Sequence, residues 1–199
     1  MQIYELNRIA YSHLRNISGS YSVAALSGIM AAGLGAAAEI WQLRWTSTTK
    51  LALITHLFMH ASVDTTGFTA GTVTFNLFKA TAWTAAGTGG GTLTLTGNNA
   101  KLDTNMASTA IGEIRVATTA TLTAGTKTLL DSAHSTTVSG VGTAAGADIL
   151  ANHDMVNVAD LSHPMLLRAN EGVVIQATVP ATGTWKFGVE LLWVEGEIR

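Results

Sequence analysis

The chain has 199 residues, a formal net charge of −2 and only 12% Asp, Glu, Lys and Arg, against about a quarter in ordinary soluble proteins. Its eleven scattered Lys and Arg give no basic field able to neutralise a run of phosphates, which disfavours direct nucleic-acid binding. The lack of cysteine excludes disulfides and thiolate metal sites, while 47% apolar residues and a mean hydropathy of +0.30 exclude a solvated, disordered chain.

At the start of the chain, Ile3, Leu6, Ile9, Leu14 and Ile17 recur at loosely helical spacing, which predicts a short amphipathic helix within residues 1–20. No charged residue occurs from Asn16 to Ala38, and the stretch Tyr21 to Ala38 approaches the length of a bilayer crossing. Three readings compete for it. Arg8 and Arg15 ahead of an apolar region, with Ala36, Ala37 and Ala38 before Glu39, have the order of a secretory leader. A membrane span is weakened by Gly28, Gly33 and Gly35 in a stretch dominated by Ala. Ala24, Gly28, Ala32 and Ala36 recur every four residues, and on a helix they would form one face of small side chains that another backbone can approach closely. The third reading is preferred: residues 1–38 are an N-terminal arm, partly helical or extended, that packs on a neighbouring subunit through those four positions.

From Glu39 the pattern changes to period-two alternation between glycine-bearing turns, and residues 39–199 are expected to form one β domain. Trp41, Leu43 and Trp45 share one side of a strand, with Gln42 and Arg44 opposite. Lys50 to His60 is apolar on both sides, as expected of a central strand covered on both faces. Thr72 to Lys79 alternates Val73, Phe75 and Leu77 with Thr72, Thr74 and Asn76, one face dry and one wet. Gly87 and Gly89 to Gly91 read as the turn of a hairpin leading to Leu93 and Leu95. Further extended segments are expected at Ile111 to Thr118, Ala120 to Leu130, Ala147 to Val158, Met165 to Arg168, Val173 to Val179 and Thr184 to Glu195. In the last, Trp185, Phe187, Val189, Leu191 and Trp193 share a face. Trp41, Trp45, Phe75, Trp185, Phe187 and Trp193 are the expected core anchors. Asp64 to Gly67, Ala124-Gly125, Glu171-Gly172 and Pro180 to Gly183 punctuate these runs, and Pro164 and Pro180 fall at strand edges. The 29 threonines suit pleated, half-exposed strands and present hydroxyls instead of charges. The fold class that follows is all-β: an antiparallel β-sandwich or jelly roll carrying the N-terminal arm.

No constellation of residues carries chemistry strongly. His56 and His60 are four apart, but on a strand they lie about 13 Å from one another, too far to share an ion readily. Asp148, His153, Asp154, Asp160, Ser162 and His163 permit the sketch of a hydrolytic triad, yet no serine sits in a G-x-S-x-G elbow. Gly87 to Gly91 lacks the Lys-Ser/Thr of a phosphate loop and leads into a strand. Trp83, beside a loop, is the one tryptophan not readily placed in a core, and so the one lead towards carbohydrate binding.

The Thr/Gly/Ala-rich β body, in segments such as FTAGTVTFNLFKATAW (Phe68 to Trp83), ATLTAGTKTLLD (Ala120 to Asp131) and NEGVVIQATVPATGTWKFGVELLWVE (Asn170 to Glu195), together with the arm, resembles the structural proteins of tailed-bacteriophage virions. That resemblance implies a jelly-roll capsid cement (decoration) protein that binds the major capsid protein or other virion subunits and its own copies, as a dimer or trimer on the capsid surface. It implies no catalytic residue and no cofactor. A tail or fibre component, a membrane-tethered or exported module that binds a glycan, and a hydrolase built around His153 and His163 are the rivals.

Overall fold

A computed structural model describes residues 14–69, 71–139, 144–157 and 165–198. The described chain has no helix. Its strands are β1 (Leu14–Leu26), β2 (Met30–Ala31), β3 (Glu39–Trp45), β4 (Lys50–Val63), β5 (Thr72–Ala85), β6 (Gly91–Thr92), β7 (Ile111–Val116), β8 (Thr126–Ser139), β9 (Asp148–Asn157), β10 (Met165–Leu167), β11 (Glu171–Thr178) and β12 (Thr184–Ile198). They form two six-stranded antiparallel sheets. With β2, β6, β7 and β10 set aside, eight strands remain, in the order β1-β12-β4-β9 in one sheet and β3-β11-β5-β8 in the other. This is the winding of a jelly roll. The smaller strands extend it: β2 prolongs the edge made by β1, β10 follows β9 along the far side of β4, and the β6–β7 pair is added beside β3.

The core lies between the sheets because strands with one apolar side must bury it against another layer. Trp41 and Trp45 of β3, Phe75 of β5, and Trp185, Phe187 and Trp193 of β12 are all buried there. Aromatic contacts run along β12, with ring centroids 5.9 Å apart for Phe75 and Trp185 and 5.5 Å for Trp185 and Phe187. Removing each such side chain from water stabilises the fold by roughly 2–3 kcal/mol. Strand β4 is central, between β12 on one side and β9 and β10 on the other. Its inner face packs Ile54, Leu57 and Met59 into the core, and on its outer face Leu51 and Leu53 are buried with Val194.

Several expectations need correction. The segment from Leu14 to Leu26 is not an arm set apart from the β domain: it is the first strand of the sandwich, paired with β12 from Leu14↔Ile198 to Leu26↔Gly188. The domain therefore includes residues well ahead of Glu39. Ala24, Gly28, Ala32 and Ala36 form no helical stripe, since they occupy β1 and the irregular chain around β2. The amphipathic helix foreseen in residues 1–20 lies outside the described residues up to His13, and beyond that point the chain is extended. The glycines before Leu93 lead not into a hairpin strand but into a two-residue strand and an irregular excursion over residues 93–110. The strand expected at Ala120 to Leu130 begins only at Thr126 and runs on to Ser139. Glu171-Gly172 opens β11, and the reversal before it is made at Asn170, with φ at 61°.

Candidate assembly surfaces

Strand β8 forms one edge of its sheet, hydrogen-bonded to β5. Seven of its 14 residues carry a hydroxyl: Thr126, Thr128, Ser132, Ser135, Thr136, Thr137 and Ser139. Its two formally charged residues differ in place, because Lys127 is buried while Asp131 is exposed. An edge strand presents a row of unpaired N–H and C=O groups, and isolated proteins usually guard such a row with several charges, above all Lys. One carboxylate is thin protection. The opposite edge of the same sheet is blunted by the two-residue β6.

The other sheet manages its β1 edge differently. Ser22 N–H donates to Ala100 O at 2.8 Å and Leu102 N–H to Ser20 O at 3.2 Å, so residues 100–102 of the excursion lie along that edge. The excursion is anchored to a buried carboxylate. Glu195 accepts from the Ala110 N–H at 3.0 Å, from the Trp193 indole N–H at 3.1 Å and from the Thr109 hydroxyl, with the Lys50 ammonium 3.8 Å away. Neutral donors thus satisfy a charge whose burial would otherwise cost several kcal/mol. Tyr21 stacks on Trp193 with ring centroids 5.3 Å apart and donates its hydroxyl to Ala107 O. Burial, reinforced by the Glu195 charge, pushes the Tyr21 phenol up to about 12.

The register of β1, β12 and β4 aligns Ser22 with Leu192 and His56, Ala24 with Glu190 and Phe58, and Leu26 with Gly188 and His60. These rows form an outward face. A Cβ on Gly188 would meet His60 at 2.2 Å and Leu26 at 2.9 Å, so these two side chains close over the glycine from either side. Leu26 is 71% exposed. Of the four small residues read as an interface, Ala24 and Ala36 are exposed, whereas Gly28 and Ala32 are half-buried. Ala32 packs against the core. No helix among the described residues is long and apolar enough to cross a membrane, and the stretch that suggested one places Tyr21 and Ala25 in the sandwich core.

Trp83 is buried, so the lead towards carbohydrate binding loses its exposed ring; all five tryptophans are buried. Ala82 adopts a left-handed φ of 49°, which breaks the alternation of β5 and turns Trp83 onto the outer face beside Ala80 and Val174. Gly172 makes room for it, since a Cβ there would lie 2.5 Å from the indole ring and 2.1 Å from Leu43 O. Lys127 stands 4.7 Å from the ring centroid and 2.8 Å from Glu39 Oε2, within a largely buried ion pair. Gln42 donates to Glu39 at 2.5 Å and to Thr123 O at 2.8 Å. This polar knot fastens the start of β8 to β3.

Of the sketched hydrolytic group, Asp160, Ser162 and His163 lie outside the described residues, and Asp154 is held by His56 at 2.6 Å and by Asn157 at 2.8 Å. Its carboxyl is drawn below the usual range first by the hydrogen bond from His56. Sequence reasoning missed the partner that His153 does have. His134 on β8 places its Nε2 2.7 Å from His153 Nε2 on β9, and the Thr136 hydroxyl lies 2.5 Å from His153 and 3.0 Å from His134. Burial, with His153 adding to it, lowers the His134 pKa. No signal in the sequence joins the two, because they belong to opposite sheets. Among the described residues, no group of three or more His, Asp and Glu converges as a metal site.

No family model, no curated protein and no solved structure matches the chain.

Proposed function

We propose that the chain is a virion structural protein, a capsid cement protein that stabilises a shell by binding the major capsid protein and its own copies. The observation that carries this reading is the edge strand β8: long, rich in hydroxyls and guarded by one exposed carboxylate. A solitary protein would expose that edge to indiscriminate pairing, whereas a subunit that is always covered by a neighbour has no need of charged guards. The low overall charge and the resemblance of the Thr/Gly-rich body to tailed-phage virion proteins support the same conclusion. Nothing in this role calls on a catalytic residue or a cofactor.

The test is to weigh the purified full-length chain in solution by light scattering and to image by electron microscopy the particles that carry it. A dimer or trimer, with jelly-roll density repeated over the shell surface, is expected. A solitary monomer absent from the particles would overturn the proposal. A truncation meant to test the arm has to stop at His13, because deleting residues 1–38 would also remove β1 and uncover Trp193.

A further inference from the structure

The seam where β8 meets β9 joins the edges of opposite sheets through two imidazoles and one hydroxyl. A hydrogen bond between two Nε2 atoms needs a proton on one and a lone pair on the other. A neutral pair satisfies this, and so does a singly protonated pair, in which an imidazolium donates to an imidazole. A doubly protonated pair cannot, because both nitrogens are then donors and two positive charges face each other at hydrogen-bonding distance. The Thr136 oxygen has two lone pairs and can accept from both rings, but it cannot remove the repulsion between two imidazolium charges whose nitrogens lie 2.7 Å apart.

We propose that His134 and His153 form a proton-operated latch, which holds β8 against β9 at neutral pH and releases it on acidification, when both rings become charged.

The surroundings differ at the two rings. On β9, Asp154 lies close enough to His153 for a charge on one to act on the other. Asp154 is nevertheless occupied by His56 of β4 and by Asn157. The other titratable groups along these strands are Asp131 and Lys127 on β8, Asp148 on β9, and Lys50 and His60 on β4, with Lys127 paired to Glu39 and Lys50 3.8 Å from Glu195. On β5, the residue opposite His134 is Leu77, and Lys79 is engaged with Glu171 at 2.9 Å and with Leu166 O. Among the described residues, no carboxylate is hydrogen-bonded to His134, so a charge on that ring has no counter-charge in contact with it. His134 is held below its ordinary value of 6.5 by burial and by His153. The closed seam therefore binds fewer protons than the open one: closure is favoured above that value and is lost as the pH falls below it. The inference stands apart from the assembly role, since it concerns only how the two sheets are joined.

Hydrogen exchange of the full-length chain, followed over the β8 and β9 amides between pH 7.5 and pH 5, tests it. After correction for intrinsic rates, exchange in these strands should rise by about tenfold for each pH unit below the second protonation, while β4 and β12 stay protected. His153→Gln and His134→Gln each keep a hydrogen-bonding side chain that cannot be charged, and either should flatten the response. His56→Gln and His60→Gln should leave it intact. Protection of β8 unchanged at pH 5 would overturn the latch, as would a wild-type response in both seam variants.

Discussion

Strands β4 and β8 are both 14 residues long and belong to the same sandwich, yet they share almost nothing in composition. β4 lies inside its sheet with its inner face in the core and Leu51 and Leu53 of its outer face also buried, and its sequence, KLALITHLFMHASV, carries apolar residues on either side. β8 lies at an edge, and TKTLLDSAHSTTVS is a strand of hydroxyls and small side chains. Local propensity does not set the difference, since Thr, Leu and Val all suit strands. Position in the sheet does: a central strand is selected for packing, and an edge strand for what its open side is allowed to meet. Charge would make β8 safe alone, and charge is what it lacks.

The contrast can be broken from either strand. The largest effect should come from the one place where β8 behaves like a core element: Lys127→Met leaves the buried Glu39 carboxylate without its counter-charge and should cost about 4 kcal/mol in chemical denaturation. Leu57→Ala in β4 should cost about 3 kcal/mol, through the transfer and cavity terms together. Tyr21→Phe, which removes the hydrogen bond to Ala107 O, should cost about 1 kcal/mol. At the far end, Thr128→Lys and Thr137→Lys in β8 should change stability by no more than about 0.5 kcal/mol while abolishing self-association in light scattering. If both lysine variants assemble normally, the edge is not the contact surface.

The pH dependence brackets the same comparison from two sides. His134 is depressed in the fold, so its contribution is present above 6.5 and is lost as the pH falls. Tyr21 is raised from 10.0 to about 12, so its contribution is complete below 10 and is lost as the pH climbs towards 12. Thermal unfolding across the pH range should show both losses, with the acid one absent in His134→Gln and the alkaline one absent in Tyr21→Phe.

How much of this was legible in the sequence follows from hydropathic contrast. The strands built on Trp41 to Trp45, Val73 to Leu77 and Trp185 to Trp193 are plain, because large apolar side chains alternate with polar ones and their burial follows. Asp131 to Ser139 was invisible, since an edge strand with hydroxyls on both sides offers no alternation to detect. In the N-terminal segment, small residues every fourth position share a face on a strand as well as on a helix, four being an even number, so the spacing could not tell one from the other. The seam was beyond reach for another reason. His134 and His153 meet only because the jelly roll places the edges of its two sheets together, a consequence of topology that no local pattern encodes.

The pairing of Leu14 with Ile198 has a mechanical consequence. The first and last described strands lie side by side in opposite directions, so cargo attached through the two ends would tug on the protein at a single corner. Such a load would peel β1 from β12 one bond at a time, like a zip, instead of shearing the whole ladder at once. The sandwich would yield easily to force applied across its termini, and far less readily to force spread over its faces.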